Sequence, residues 1–178
     1  MYWYALFVRT GFECEIVKEI ENIWQIVDTK PFIPTYDAKF RKSGIDISEK
    51  RKLFPGYVFI ESSKAGSEFW NVAQNYVYSS RNALKILSYG AAYDNGRSIE
   101  MSISEQKILR ELFDENHCIK MSQGLLEGDR VRIVHGPLMN HESLIKKIRW
   151  RKREAIIEIE LMGSVRELSV GLEVVAKI

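Results

Sequence analysis

Residues 51–60 read RKLFPGYVFI: two cations, then Leu53 and Phe54, a Pro-Gly pair, and four residues without a polar side of their own. Pro55-Gly56 is turn chemistry, so Tyr57 opens a new element. A short apolar run of aromatic and β-branched residues after a turn reads as a buried strand. Side chains alternate across a strand, which puts Tyr57 and Phe59 on one face and Val58 and Ile60 on the other. Trp3, Ala5 and Phe7 alternate likewise along Tyr2–Val8 (YWYALFV), an aromatic-rich run that ends at Arg9-Thr10-Gly11. One face of such a sheet can pack on helices while the other is left exposed.

The helices follow from periodicity. Phe12, Ile16, Val17, Ile20, Trp24 and Val27 recur at helical spacing between Glu15, Lys18, Glu19 and Glu21, an amphipathic helix with one core face. Pro31 and Pro34 bracket Phe32-Ile33, which fits a short edge strand. Residues 37–50 (DAKFRKSGIDISEK) are mixed and charged around Ser43-Gly44, as expected of an exposed hairpin or loop. Residues 66–76 form a second helix, and Ser102 or Ser104 caps a third whose apolar stripe is Ile108, Leu109, Leu112 and Phe113. Strand, helix, strands, helix, helix gives an α+β fold with an antiparallel sheet.

After Glu115 the texture changes. Residues 116–123 (NHCIKMSQ) lack a period and read as a linker, and from Gly124 onward most segments alternate. Ile157, Ile159 and Leu161 alternate with Glu158 and Glu160, Gly163-Ser164 offers a two-residue turn, and VRELSV returns. Several short strands in about 55 residues make a small β-barrel. Two domains are expected: 1–115, and 124–178 after the linker.

Composition narrows the function. In 178 residues no apolar run approaches the roughly 20 needed to span a bilayer, and no leader pattern opens the chain, so a cytoplasmic protein without membrane attachment is expected. Cys14 and Cys118 are far apart and suggest neither a disulfide framework nor a CxxC site. His117, Cys118, His135 and His141 match no usual zinc spacing, so no metal is expected. No Gly-rich phosphate loop, nucleophile elbow or paired acid and base stands at recognisable spacing, which argues against an enzyme and gives no cofactor. Residues 1–115 hold 15 Lys/Arg against 16 Asp/Glu, whereas residues 116–178 hold 11 against 8. Six of those 11 fall within residues 146–153: Lys146, Lys147, Arg149, Arg151, Lys152 and Arg153, with Trp150 among them. Cations neutralise phosphate, and an exposed aromatic stacks on a splayed base, so this run suits structured RNA. The plainer alternative is a solvated hairpin.

WYALFVRTG, the IPT at residues 33–35 and above all RKLFPGYVFI resemble the N-terminal (NGN) domain of the NusG family of transcription elongation factors. GDRVRIVHGPLMNHESLI resembles the KOW motif, which in that family opens a five-stranded, SH3-like barrel. The resemblance implies that the aromatic sheet face is a pocket, lined by Phe7, Phe54, Tyr57 and Phe59, that grips the coiled coil on the clamp of RNA polymerase. It further implies that Arg9 falls where family members touch the non-template DNA strand, with Trp70 and Asn71 toward the opposite pincer. The bland readings are core packing for the four aromatics and a solvated surface for Arg9.

Where typical members have Gly, acidic residues and a Phe, this chain has Ser143, Lys146 with Lys147, and Met162. That Phe helps contact termination factor Rho and a ribosomal protein in the housekeeping factor. The chain looks most like the LoaP group of specialised paralogs, processive antiterminators with basic KOW domains. The expectation is a monomeric antiterminator that binds polymerase through the NGN domain and a hairpin in nascent RNA through Lys146, Lys147, Arg149, Trp150, Arg151, Lys152 and Arg153. The alternatives are a housekeeping factor coupling polymerase to Rho or the ribosome, and a KOW-bearing ribosome-associated RNA-binding protein.

Overall fold

The computed structural model describes residues 1–23, 29–88, 98–128 and 130–177. Trp24 and Val27, expected on the first helix's stripe, lie outside the described residues. In chain order, β1 (Tyr2–Val8) is followed by α1 (Glu13–Ile23), β2 (Thr29–Phe32), β3 (Thr35–Lys42), β4 (Ile45–Lys52) and β5 (Tyr57–Ser62). Next come α2 (Gly66–Ser79), β6 (Ala83–Ile86), α3 (Ile103–Leu112), β7 (Cys118–Ile119) and β8 (Ser122–Glu127). The chain ends with β9 (Arg130–His135), β10 (Ile145–Arg149), β11 (Glu154–Leu161) and β12 (Ser164–Lys177). The class is α+β. Packing divides the chain into two compact units. One comprises Met1–Pro34, Phe54–Gln106 and Leu161–Ser164; the other comprises Thr35–Leu53, Lys107–Glu160 and Val165–Ile178.

The first unit is built on a four-stranded sheet in the order β2-β5-β1-β6. β1 and β5 are antiparallel, with Ala5 opposite Phe59 and Phe7 opposite Tyr57. One face supplies Tyr4, Leu6, Val8, Val58 and Ile60 to a core shared with Ile16 and Ile20 of α1 and Phe69, Ala73 and Tyr76 of α2. The Tyr4 and Phe69 rings stack at 3.6 Å, tilted by only 4°. Each large apolar side chain buried there contributes at most about 1.5–3 kcal/mol. Pro31 sits on the edge strand β2, opposite Ile60, where its missing N–H is tolerated. α3 opens with a capping box: Ser102 Oγ accepts from Glu105 N at 3.3 Å, and Glu105 Oε2 accepts from Ser102 N at 3.0 Å.

The second unit contains a hairpin and a five-stranded sheet. β3 and β4 pair along eight residues, from Thr35 opposite Lys52 to Lys42 opposite Ile45. The turn between them is Ser43-Gly44, both at positive φ (51° and 82°), so the mixed, charged stretch is a tight primed hairpin. β7, drawn from the stretch expected as a linker, adds in parallel to β3. The five-stranded sheet runs β10-β11-β12-β8-β9, with β8 and β12 parallel, an arrangement compatible with a KOW barrel. The turn between β11 and β12 lies one residue earlier than expected. Met162 and Gly163 occupy it at φ 57° and 66°, and Ser164 is already the first residue of β12. A primed two-residue turn needs positive φ at both centres, a demand that Met162 meets despite its side chain.

Candidate functional site

Phe7, Phe54, Tyr57 and Phe59 do share one face of the first unit's sheet, but they are not equally accessible. Phe59 is 0% exposed and Phe54 8%, whereas Phe7 and Tyr57 are half-buried. Phe59 is the hub: its ring stacks on Phe54 at 5.3 Å and meets Phe32 edge-on at 5.7 Å. Phe32 in turn meets Trp3 at 5.2 Å. The ring pair with accessible surface is Phe7 and Tyr57, 5.3 Å apart, directly opposite each other in the β1–β5 register. Lys85 Nζ stands 5.9 Å from the Phe7 ring centroid, close enough for a cation–π contact. Sequence reasoning named Trp3 as an alternating residue but missed Phe32 and Lys85 as parts of this face. The alternation of β1 carried the signal for Trp3; Phe32 and Lys85 depend on which strands neighbour β5 and β1.

The loop carrying Phe54 is fixed from beneath. Glu13, fully buried at the start of α1, accepts hydrogen bonds from Gly56 N and Gly11 N, each at 2.8 Å. Gly56 takes φ +85°, and its carbonyl accepts from Val8 N at 2.8 Å. The Pro-Gly pair thus turns the chain so that Phe54 and Tyr57 flank one corner. Arg9 is exposed just beyond β1, and no described residue pairs with its guanidinium. Trp70 is partly exposed on α2.

In the second unit, the basic run is a strand followed by one tight turn. Lys147 and Arg149 lie on β10, Trp150–Lys152 form a single 3-10 turn, and Arg153 closes it in the left-handed conformation at φ 51°. Three of the six cations are committed to acids: Lys146 to Glu158 at 3.0 Å, Arg149 to Glu154 at 3.8 Å, and Arg153 to Asp46 at 3.1 Å and Glu173 at 3.6 Å. Lys147, Arg151 and Lys152 are exposed and have no acidic partner among the described residues. Trp150, beside them, is 48% exposed, an unusual setting for the largest aromatic. The turn therefore presents Arg151 and Lys152 beside an open indole, with Lys147 unneutralised on the strand that leads into it.

Cys14 is exposed and Cys118 buried. Burial pushes the Cys118 thiol up, and Asp37, whose Oδ1 is 3.5 Å from Sγ, adds to that rise. Among the described residues, no three His, Cys, Asp or Glu side chains gather as a metal site.

Comparison with known proteins places this architecture. The family described as transcription termination factor nusG matches residues 1–112. The chain belongs to the NusG family. Relatives carry the description transcription termination/antitermination protein NusG and match end to end. The Thermus thermophilus protein is 25% identical over 96% of this chain and 94% of its own length. The Helicobacter pylori protein is 24% identical over 100% and 99%, and the Pasteurella multocida protein 20% over 98% and 94%. The chain is thus NusG-like over its whole length, in a family of transcription factors. Lys146 and Lys147 stand on β10 and Met162 in the turn after β11. No described helix of this NusG-family chain is long and apolar enough to cross a membrane.

Proposed function

We propose that the chain is a specialised NusG-type elongation and processive antitermination factor, with residues 1–115 and 124–178 as its two functional modules. The aromatic face of the first would grip the clamp coiled coil of RNA polymerase, with Phe7 and Tyr57 as contact rings and Phe54 and Phe59 as their support. Half-buried aromatics at the centre of a contact carry most of its affinity, roughly 2 kcal/mol or more each on truncation. Holding the polymerase in one conformation shifts populations and needs no catalytic group. Arg9 is the proposed contact to the non-template DNA strand.

The observation that carries the specialised reading is the trio Lys147, Arg151 and Lys152 on the strand and turn that present exposed Trp150, offered to nascent RNA. Phosphates release counterions on binding cations, while the indole is free to stack on an unpaired base of a hairpin loop. Arg149, Lys146 and Arg153 belong to the same surface with their charge partly offset. The test is the salt dependence of binding to a labelled RNA stem–loop by the full chain. Replacing Lys147, Arg151 and Lys152 with Gln should flatten the slope of log K against log[salt] by about 2 to 3 units. An unchanged slope would leave the run a solvated turn and favour a housekeeping factor. Binding to Rho, expected to be absent here, separates the same two readings independently.

A further inference from the structure

The hairpin β3–β4 belongs to the same compact unit as the basic turn, and ion pairs join them. Asp46, one residue into β4, lies 3.1 Å from Arg153 Nη1, a nitrogen enclosed without an aligned hydrogen bond. Lys39 of β3 reaches Glu173 of β12 at 3.0 Å, and Arg153 Nε reaches the same carboxylate at 3.6 Å. On the hairpin's other face Arg51 bonds Glu49 at 2.6 Å and approaches Glu154 at 3.7 Å, the acid that also faces Arg149. Every acid in this seam is thus answered by a cation. What remains unneutralised lies on its two rims.

On the barrel rim are Lys147, Arg151 and Lys152. On the hairpin rim are Arg41, Lys42 and Lys50, all exposed, and none of them with an acidic partner at ion-pair distance among the described residues. Arg41 and Lys50 lie close to the seam: Arg41 is the cross-strand partner of Asp46 and donates Nε to Gly44 O at 3.1 Å, and Lys50 lines one cavity with Lys39 and Glu173, while Lys42, beside Arg41, projects from the opposite face of the hairpin. Asp46 holds Arg153, which directly follows the Trp150–Lys152 turn. Cations without acidic partners on both sides of a charge-balanced strip match a double-stranded polyanion better than a single strand. A duplex carries two phosphate rows across a groove, whereas a single strand offers one.

We infer that the β3–β4 hairpin supplies, through Arg41, Lys42 and Lys50, a second row of phosphate contacts to the stem of the RNA hairpin whose loop end meets the basic turn. The inference rests on the RNA reading of that turn and adds to it a partner shape, a stem flanked by unpaired bases. RNA is favoured over duplex DNA because Trp150 offers a stacking plane for a splayed base, and the wide minor groove of an A-form stem admits a hairpin edge.

The test uses the full chain and two labelled RNAs of equal length, a stem–loop with about 16 base pairs and an unstructured strand, over a range of salt. Changing Arg41, Lys42 and Lys50 together to Gln should flatten the stem–loop slope by about 2 units or more, and change binding to the unstructured strand far less. The Lys147, Arg151 and Lys152 triple should flatten both. A thermal midpoint close to that of the parent chain shows that the exposed substitutions leave the fold intact. If the hairpin triple keeps the stem–loop slope while the barrel triple loses it, the second row does not exist and the RNA reading of the turn stands alone. If neither triple moves the slope, both readings fall. Equal affinity for duplex DNA of the same sequence would also overturn the inference, since the surface would then be reading charge alone.

Discussion

Glu13 holds the Pro55-Gly56 turn through a hydrogen bond of 2.8 Å from Gly56 N to its Oε1, while Oε2 takes Gly11 N at the same distance. One buried carboxylate therefore ties the end of β1 to the start of β5, the two strands that carry Phe7 and Tyr57. Glu13→Ala leaves both backbone donors without their acceptor, at a cost of roughly 1–3 kcal/mol for each. Glu13→Gln keeps one acceptor and should cost less. Urea unfolding of both variants checks the order, and equal stability of the two would show that water replaces the carboxylate.

Phe59 and Tyr57, two residues apart on one face, should behave differently when truncated. Phe59→Ala empties a fully enclosed site between Phe54 and Phe32 and should cost about 3–5 kcal/mol of stability. Phe7→Ala with Tyr57→Ala removes half-buried rings, so the fold should persist while capture of the polymerase coiled-coil tip is lost. Were the Phe7 and Tyr57 double variant to unfold and Phe59→Ala to be tolerated, the assignment of support and contact would be reversed.

The contrast between those rings shows where sequence reading stops. Alternation put Phe7, Tyr57 and Phe59 on one face because strand geometry is local, and the two strands and the Ile16 and Ile20 positions of the first helix were legible for the same reason. The pairing of β1 with β5 was not, and Phe12, expected on the stripe, stands before α1 and is exposed. Which ring is enclosed depends on Phe32 and Phe54, brought in by a neighbouring strand and a loop. That is tertiary information absent from any window of the sequence. The same holds at the basic run. Six cations in eight residues were plain to read, but the partners Asp46 and Glu173, which remove Arg153 from the free set, lie 107 and 20 positions away. The β11–β12 turn was misplaced by one residue because Gly163 can serve either turn position, and only the backbone showed Met162 taking the other at positive φ.

Asp114 should give the second unit an acid-side stability change. Burial acts to raise its pKa, yet hydrogen bonds from Cys118 N and Asn116 N, both 2.9 Å, and Lys120 at 3.3 Å outweigh it and hold the carboxyl below the ordinary range. A folded pKa below the unfolded value means stabilisation that is complete above about pH 4 and lost as pH falls through the folded pKa. Asp114→Asn should therefore be less stable than the parent at neutral pH, with the difference shrinking below pH 4. Urea midpoints measured between about pH 3 and 6 would show the convergence. A constant gap across that range would mean the loss is steric, not ionic.

Gly171 on β12 tests whether the hairpin is seated on the barrel strand. A Cβ at this position would lie 2.4 Å from the backbone oxygen of Asp37 on β3 and 2.7 Å from Met121 Sδ. Met121 has a flexible side chain and can move aside, but a carbonyl in a paired strand cannot move without shifting β3. Gly171→Ala should therefore cost about 1–3 kcal/mol, the usual range for overpacking a close approach. The effect should extend two residues along, because displacement of β3 pulls Lys39 from Glu173, now 3.0 Å apart. With the hairpin displaced, Arg41, Lys42 and Lys50 lose their alignment with the barrel rim, so the salt slope for the RNA stem–loop should flatten in the same variant. A Gly171→Ala protein with an unchanged midpoint and slope would show that β3 gives way freely at Asp37, and that the hairpin is not held in register with the barrel.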